Sequence, residues 1–544
     1  MNFRILDCYV DEPACFGVPP FVSPYPRYIF GALVDAGVDE SRIDYLTMDD
    51  IRMHDFRITS PGDAVFLVGG AVVPGRYLGA RIGSASEITR IIKTNPGHRF
   101  FVGGLISRLL DPAHNATCLR HDIEKFAHGL ARGAPLDARR SLREIGRWSL
   151  LGAPVVSHHP RHPNLICEIE TYRGCPRERH CSFCSEGLMG AVEYRETEDI
   201  LSEIDALIAR GIRRFRLGRQ ADILLYGSEC AEYRNGFPRP SPRGIAPLLA
   251  ALRSRMRRGD IEVLNIDNAN PGTIAAFPDE SALILEDLAG TVTPGDTMAL
   301  GIETFDDTLL AGNNLKVTAR EAIRAIETIN EIGGRPREGR PALLPGVNLL
   351  HGLSGERMET FAINYRHLME ILDRGLLVKR INIRRIVPFP GTPLYEKRTP
   401  ERKTIENRFL FYRDKIRSDI EGPMLGRLYP AGTVIEGCQV LEADERRSYG
   451  KQIASYSITA RFPLRLPVMG FVDALVLGHL ERSLVALPLP VSLNGLPAGA
   501  IEAIPGIGRK RAAEIILRRP FRRLSDAEAF LEGVPGAVRE RIGL

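Results

Sequence analysis

Three cysteines fall within ten residues in the segment Tyr-Arg-Gly-Cys175-Pro-Arg-Glu-Arg-His-Cys181-Ser-Phe-Cys184, although the 544-residue chain holds only nine cysteines. Thiolates are soft ligands that suit iron–sulfur clusters or zinc, and three of them leave one metal coordination position open. An open position on iron is a place where a reactant can bind. His180, directly before Cys181, offers a fourth donor, so a structural zinc site of one imidazole and three thiolates is the competing reading.

Composition bounds what surrounds this cluster. The chain is 44% hydrophobic and 26% charged, and it lacks an unbroken apolar stretch of the roughly 18 residues that a membrane helix needs. It therefore predicts a globular protein of several domains with no membrane partner. The start, Met-Asn-Phe-Arg-Ile, has no basic leader followed by a long apolar core, so a secretory signal is not expected. Cysteines that are odd in number and bunched in one place fit a reducing compartment, and a cytoplasmic location is the expectation. A net charge of +5 over this length does not by itself imply nucleic acid.

The cysteines need elements to position them. In the first 150 residues, strand patterns at 3–10, 43–48, 64–68 and 99–102 alternate with helix patterns at 28–36 and 85–93. Two strands end in glycine pairs, Gly69-Gly70 and Gly103-Gly104. Such pairs bring backbone to the carboxyl edge of a parallel sheet, where open α/β folds hold ligands, although tight turns alone also explain them. Residues 165–395 repeat the rhythm, with strands expected at 166–170, 214–217, 263–266, 298–302, 346–350 and 381–387 and helices at 198–210, 319–332 and 359–372. Six strand–helix pairs predict a curved parallel sheet or partial barrel, with Cys175 just past the first strand, at the end where such barrels do chemistry.

The segment Tyr-Arg-Gly-Cys175-Pro with Cys181-Ser-Phe-Cys184, at the end of a first barrel strand, resembles the cluster loop of the radical S-adenosylmethionine superfamily. Gly301-Ile-Glu303-Thr, Gly346-Val-Asn-Leu-Leu-His-Gly352-Leu and Val387-Pro-Phe-Pro-Gly391-Thr-Pro-Leu follow in family order. The resemblance implies a 4Fe-4S cluster on Cys175, Cys181 and Cys184 that binds S-adenosyl-L-methionine at its open iron and yields a 5′-deoxyadenosyl radical. It implies further that Phe183 packs near the adenine, that Glu303 binds the cofactor's ribose or amino group, and that an external electron donor serves the cluster. Two departures stand out. Five residues, Pro176 to His180, separate the first two cysteines, more than the commonest family spacing. The glycine- and glutamate-rich motif expected after the second strand is poorly matched by Leu217-Gly218-Arg-Gln-Ala-Asp222, from which only Gly218 carries over as a cofactor-binding residue.

Ahead of this barrel, residues 1–150 resemble the cobalamin-binding module of one radical S-adenosylmethionine class. The likeness rests on strand order, on Val18-Pro-Pro-Phe-Val-Ser-Pro-Tyr-Pro before the first helix, on Asp122-Ile-Glu124-Lys-Phe before a last helix, and on the glycine pairs. It implies cobalamin held near Gly69, Gly70, Gly103 and Gly104. The Asp-x-His-x-x-Gly segment that supplies a histidine to cobalt is missing, so no histidine ligand is expected. A degenerate domain that only packs against the barrel is the plainer alternative.

The carboxyl-terminal part turns to β patterns at 432–441, 455–460, 470–477 and 483–487, which predict a small barrel. It loosely resembles the barrel appended to tRNA methylthiotransferases. Cys438 within it reads as a small buried hydrophobe. Ile504-Pro-Gly506-Ile-Gly508-Arg-Lys-Arg and the later Gly533-Val-Pro-Gly536 resemble a tandem helix–hairpin–helix module. Between Pro505 and Arg523 stand seven basic residues, Arg509, Lys510, Arg511, Arg518, Arg519, Arg522 and Arg523, against Glu514 alone. That is an electrostatic footprint for a polyanion, while the lack of interleaved aromatics for stacking on bases keeps a compact helical cap for protein contacts as the alternative.

Other residues are read more plainly. His158-His-Pro-Arg-His162 is taken as an exposed joint between domains, the arginines from 210 to 219 as a solvated helix end, and Trp148 as a pin for the linker. The expected architecture is α/β: a Rossmann-like domain of cobalamin-binding type (1–150), a partial (β/α)6 TIM-like barrel (165–400), a small β-barrel (425–490) and a helix–hairpin–helix module (494–544). The resemblance implies a cobalamin-dependent methyltransferase acting on an unactivated carbon of a macromolecule. One substrate it points to is a protein residue such as the Cα-methylated glutamine of methyl-coenzyme M reductase. The second reading is an enzyme that methylates or methylthiolates tRNA, although the amino-terminal cysteine triad of the methylthiotransferases is missing.

Overall fold

The computed structural model describes residues 2–12, 14–58, 64–70, 77–111, 114–337, 339–397, 403–454 and 456–544. It divides into two compact units, residues 1–356 with 382–400 and residues 357–381 with 401–544.

The first unit begins with a five-stranded parallel sheet whose apolar strands are covered by helices. Its strands are Phe3–Asp7, Ile43–Thr47, Ala64–Val68, Arg99–Gly103 and Ala116–Cys118. In space they run second, first, third, fourth, fifth, the doubly wound order in which ligands lie at the carboxyl ends where the first and third strands meet. Ala64–Val68 is wholly buried, as its unbroken apolar run requires. The fifth strand was not expected, because Ala-Thr-Cys is too short to show a period. Trp148 is completely buried and donates from Nε1 to Asp35 at 2.9 Å, holding helix Leu142–Leu151 against helix Tyr25–Asp35. Only glycine permits this approach, since a Cβ at Gly31 would sit 1.9 Å from the Trp148 carbonyl oxygen.

The barrel follows in the same unit. Strands Ile166–Glu170, Arg214–Gly218 and Val263–Ile266 pair in parallel, and Asp296–Glu303 pairs with Leu343–His351. A single parallel bridge, Ala269 to Leu300, joins the two sets. Strand Arg380–Arg385 extends the second set, so the six barrel strands keep their chain order. At the opening, the two-residue strand Phe21–Val22 pairs with Ile166 and Cys167. The amino-terminal segment thereby joins the barrel sheet itself.

The second unit contains helices Met358–Asp373 and Lys403–Ile416, whose Tyr365 donates to Asp419 at 2.8 Å. A closed five-stranded barrel follows, built from Val434–Ala443, Ser448–Gln452, Thr459–Phe462, Phe471–His479 and Ser483–Pro488. Strand Ser448–Gln452 had no counterpart in the sequence pattern, and the strand expected at 455–460 lies at 459–462, its first residue outside those described. Cys438 is completely buried in this barrel. Leu475 and Leu487 of the barrel share one core with Ile501, Ile504 and Ile515 of the helices that follow. There, Gly506, at φ +87°, packs so closely on the Gly533 carbonyl oxygen that a Cβ would come within 2.5 Å, which sets the two glycine turns back to back.

Two plain readings of the sequence are corrected. Arg216 and Arg219 are buried, not solvated: Arg216 ion-pairs with Glu168 at 2.7 Å and with Asp267, and Arg219 with Glu186 at 2.9 Å. The inward-facing carboxylates of the barrel demand cations, and a barrel strand supplies them. His159 is likewise buried, and burial pushes its imidazole down to about 3, so this joint is partly packed and not simply exposed.

Candidate functional site

The cysteine loop leaves the carboxyl end of Ile166–Glu170 and is pinched shut at its base. Tyr172–Arg173 pairs antiparallel with Glu193–Tyr194, the Tyr172 hydroxyl donates to the Asp222 carbonyl at 2.6 Å, and Arg173 bonds Asp122 and Glu193 at 2.7 Å each. Gly174 turns the chain at φ +88°, a left-handed conformation that favours glycine. Cys175, Cys181 and Cys184 follow, each half-buried.

The three thiols stand close enough to act on one another. Burial, reinforced by the neighbouring sulfur of Cys181, pushes Cys175 up to about 12, and burial raises Cys181 and Cys184 as well. Alone they stay protonated; a bound metal centre supplies the positive charge that ionises such thiols. Among the described residues, no three His, Cys, Asp or Glu side chains converge as a single ion would require. His180 turns Nε2 to the Cys175 carbonyl oxygen at 3.1 Å and packs on Gly187, where a Cβ would meet its Nδ1 at 2.7 Å. The zinc reading thus finds no convergent site, whereas a cubane presents a separate iron to each thiolate.

An asparagine unnoticed in the sequence fixes the loop. Asn313 is completely buried; its backbone carbonyl and its Oδ1 accept from the Ser182 amide and hydroxyl at 3.0 Å each. Its Nδ2 donates to the carbonyls of Leu309 and Ser354 at 2.9 Å. One side chain therefore locks the cysteine loop to the loops after the fourth and fifth strands. Gly312-Asn313-Asn314 reads only as a turn in sequence, and nothing in that pattern signals a hub. Phe183 packs into the apolar cluster of Leu309, Leu315, Leu353 and Ile386, a surface able to receive a planar ring.

Glu303 is poised differently from the ion-paired carboxylates of the barrel. It ends its strand at a register shift relative to Leu343–His351, with φ +68°, and such bulges re-aim side chains beside active sites. Its Oε2 is closed off from solvent and has no hydrogen-bond partner, and burial pushes the carboxyl up to about 8. By contrast, Glu168 is saturated: Oε1 accepts from the Arg219 amide at 3.1 Å, and Oε2 from the Phe16 amide at 2.9 Å and from Arg216 at 2.7 Å. Gly218 makes this possible, because a Cβ there would lie 2.4 Å from Glu168 Oε1. Glu186, two residues past Cys184, gives one oxygen to Arg219 and leaves Oε2 unpartnered.

The glycine pairs close the first sheet's carboxyl edge. Gly104 has φ +79°, and a Cβ there would sit 2.4 Å from the Gly69 carbonyl oxygen; a Cβ at Gly103 would strike Ile123 at 2.6 Å. A Cβ at Gly69 would crowd Ile106 at 2.9 Å, and at Gly70 the Asp11 amide at 3.1 Å. Packing accounts for all four glycines. Asp11 belongs to a hairpin, Asp11–Glu12 with Cys15–Phe16, that carries this edge to the barrel through the Phe16 bond to Glu168.

The orphaned Glu303 oxygen and the three thiols fit a 4Fe-4S cluster and S-adenosyl-L-methionine: the thiols would hold the cluster, and Glu303 would accept from a hydroxyl or amine. A family model agrees with this. Residues 169–351 match the Radical SAM superfamily model. An uncharacterized protein of Archaeoglobus fulgidus is 36% identical over 98% of both chains. The uncharacterized protein MJ0274 of Methanocaldococcus jannaschii is 37% identical over 88% of this chain and 92% of its own. Among solved structures, the radical S-adenosylmethionine methyltransferase TsrM of Kitasatospora setae, with cobalamin and a 4Fe-4S cluster bound, has a TM-score of 0.45 at 16% identity, covering 72% of this chain and 77% of that one. The cobalamin-dependent S-adenosylmethionine radical enzyme OxsB has the same score at 13% identity, covering 76% and 56%. The chain belongs to one family with these two archaeal proteins, and its central barrel is a radical SAM domain.

Proposed function

We propose that the protein is a cobalamin-dependent radical S-adenosylmethionine methyltransferase that methylates an unactivated carbon of a macromolecule. The observation that carries the reading is the pairing of three mutually interacting thiols with the unpartnered Glu303 oxygen at one barrel mouth. The doubly wound sheet supports the corrinoid: its carboxyl edge between the first and third strands is the place where such folds hold ligands, and the hairpin at that edge reaches the barrel.

When bound, the cluster with S-adenosyl-L-methionine supplies a hydrogen-abstracting radical, and the corrinoid supplies a methyl group. The chain's own residues do the placing. Cys175, Cys181 and Cys184 hold the cluster, Asn313 fixes their loop, and Phe183 offers its face to the adenine. Glu303 accepts from the cofactor's ribose or amine. Glu168 and Arg216 pair with each other at 2.7 Å. An external donor delivers the electron, and the work is done in the cytoplasm on a protein residue.

A second reading, modification of RNA, draws on the second unit. Arg509, Lys510, Arg518, Arg522 and Arg523 are exposed there, and helix Arg509–Arg518 starts at Gly508 without a side-chain cap, leaving amides for a phosphate. Two of the seven basic residues serve the fold instead: Arg511 donates to the carbonyls of Gly506 and Glu532, and Arg519 to that of Leu496. Anaerobic purification with iron, sulfide and corrinoid analysis tests the main reading. About four iron atoms with bound corrinoid are expected, and zinc alone would sink both enzymatic readings.

A further inference from the structure

The five residues between Cys175 and Cys181 enlarge the loop, and the structure gives them an occupation. Arg177 is 8% exposed. Its Nη1 donates to Cys181 Sγ at 2.9 Å, and its Nη2 donates to the Asn314 carbonyl at 2.8 Å. The guanidinium carbon lies 4.8 Å from the centroid of the Phe237 ring. Phe237 is itself immobilised, packed so tightly on Gly272 that a Cβ there would come within 2.1 Å of the ring. A stack, a carbonyl and a sulfur thus fix the fork in one orientation.

Among the described residues, no carboxylate forms an ion pair with Arg177, and its Nε has no partner. A buried cation without a counter-ion is costly. The group that repays this one is the sulfur of Cys181, which becomes a thiolate when it ligates iron. A shorter loop would have no residue in this place.

On the radical SAM reading of the cysteines, we infer that Arg177 is a positioning residue that sets the reduction potential of the cluster. A charged donor on a ligating sulfur stabilises the extra electron of the reduced cluster, because hydrogen bonds to cluster sulfurs and nearby charge both raise the potential. The step is the gain of one electron from an external low-potential donor, with no bond made or broken and no proton moved.

The test is an anaerobic potentiometric titration of the reconstituted full-length protein, followed by the electron paramagnetic resonance signal of the reduced cluster. Arg177→Met removes the donor at similar length, and Arg177→Lys keeps the charge but cannot bridge Cys181 and Asn314 together. The methionine variant is expected to reduce about tenfold less favourably at a fixed potential, a shift of about 59 mV to the negative for one electron. The lysine variant is expected to shift the same way by less. Midpoints equal to wild type in both variants overturn the inference. If the methionine variant does not load iron, the lysine variant decides, and an unchanged midpoint there overturns it. Iron and sulfide content is read first, so a wild type without a four-iron cluster fails the cluster reading itself and is distinguishable from a failure of Arg177 alone.

Discussion

Two sets of buried carboxylates lie within the first unit, and they are treated in opposite ways. At the seam between the first sheet domain and the barrel, Glu203, Glu124 and Glu170 are matched. Glu203 takes Arg27 on one oxygen at 2.8 Å and Arg195 on the other at 2.6 Å, while Arg140 bridges Glu124 and Glu170 at 2.9 and 2.5 Å. At the barrel mouth, Glu303 and Glu186 each keep an oxygen without a hydrogen-bond partner. Both regions carry the same expensive groups. The first set is satisfied within the chain, whereas the open oxygens of the second are the ones a ligand would fill.

The sharpest break in this comparison is at the thiols. Replacing Cys175, Cys181 or Cys184 by alanine should abolish iron binding, an all-or-none change in iron content. The melting of the iron-free protein should stay close to wild type, since these side chains are only half-buried. The seam predicts the reverse. Glu203→Leu strands Arg27 and Arg195 in the interior, and removing one partner of a buried pair costs about 3–5 kcal/mol. Denaturant unfolding should register that loss, with iron per folded molecule unchanged. A variant that loses iron and stability together would erase the distinction between the two regions.

These two regions were not equally legible in the sequence. The thiols declared themselves because ligand chemistry is written in residue type and spacing, and barrel strands such as Val263–Ile266 and Asp296–Glu303 announced themselves as apolar runs between helices. The seam was silent. Arg27, Glu203 and Arg140 occupy ordinary positions in helices and loops, and a charged residue in a single sequence reads as solvated until its partner is known to sit across a domain boundary. Arg216 misled for the same reason, since a strand's inward face is normally apolar and this one is lined by ion pairs. Asn313 and Arg177 were invisible because their work is geometric: one hydrogen-bonds three loops, and the other reaches a sulfur four residues away. Asn313→Ala tests that hub, and should lower cluster retention on gel filtration several-fold while leaving the three thiols in place.

The finer distinction lies within the mouth, where Glu303 is separated from the saturated Glu168. Glu303→Gln keeps the shape and removes the charge. It should weaken S-adenosyl-L-methionine binding by about 1.5–3 kcal/mol, the worth of a hydrogen bond to a charged group, as measured by calorimetry under anaerobic conditions. The pH dependence follows from the direction of the shift. Glu303 sits at about 8 in the fold against an ordinary 4.5, so the folded state holds a proton that the unfolded chain releases. The carboxylate therefore costs the wild type stability progressively as pH rises from about 4.5 to about 8, a loss that Glu303→Gln escapes. A ligand that donates to the ionised carboxylate gains affinity over the upper part of that same window and levels off above pH 8. A flat profile in the wild type would mean that Glu303 is already charged and partnered.

The smallest effect belongs to the exposed cations of the second unit, where surface charge contributes little to stability. Arg509→Ala, Lys510→Ala and Arg523→Ala together spare Arg511 and Arg519, whose bonds to carbonyls hold the hairpins. Unfolding should be unchanged within measurement. If the module grips RNA, the slope of log affinity against log salt for a tRNA should fall by about 0.7 for each single-strand phosphate that the variant no longer neutralises, with little change in sequence preference. If wild type and triple variant bind tRNA alike, or not at all, these cations are a solvated face. The substrate is then to be sought among proteins.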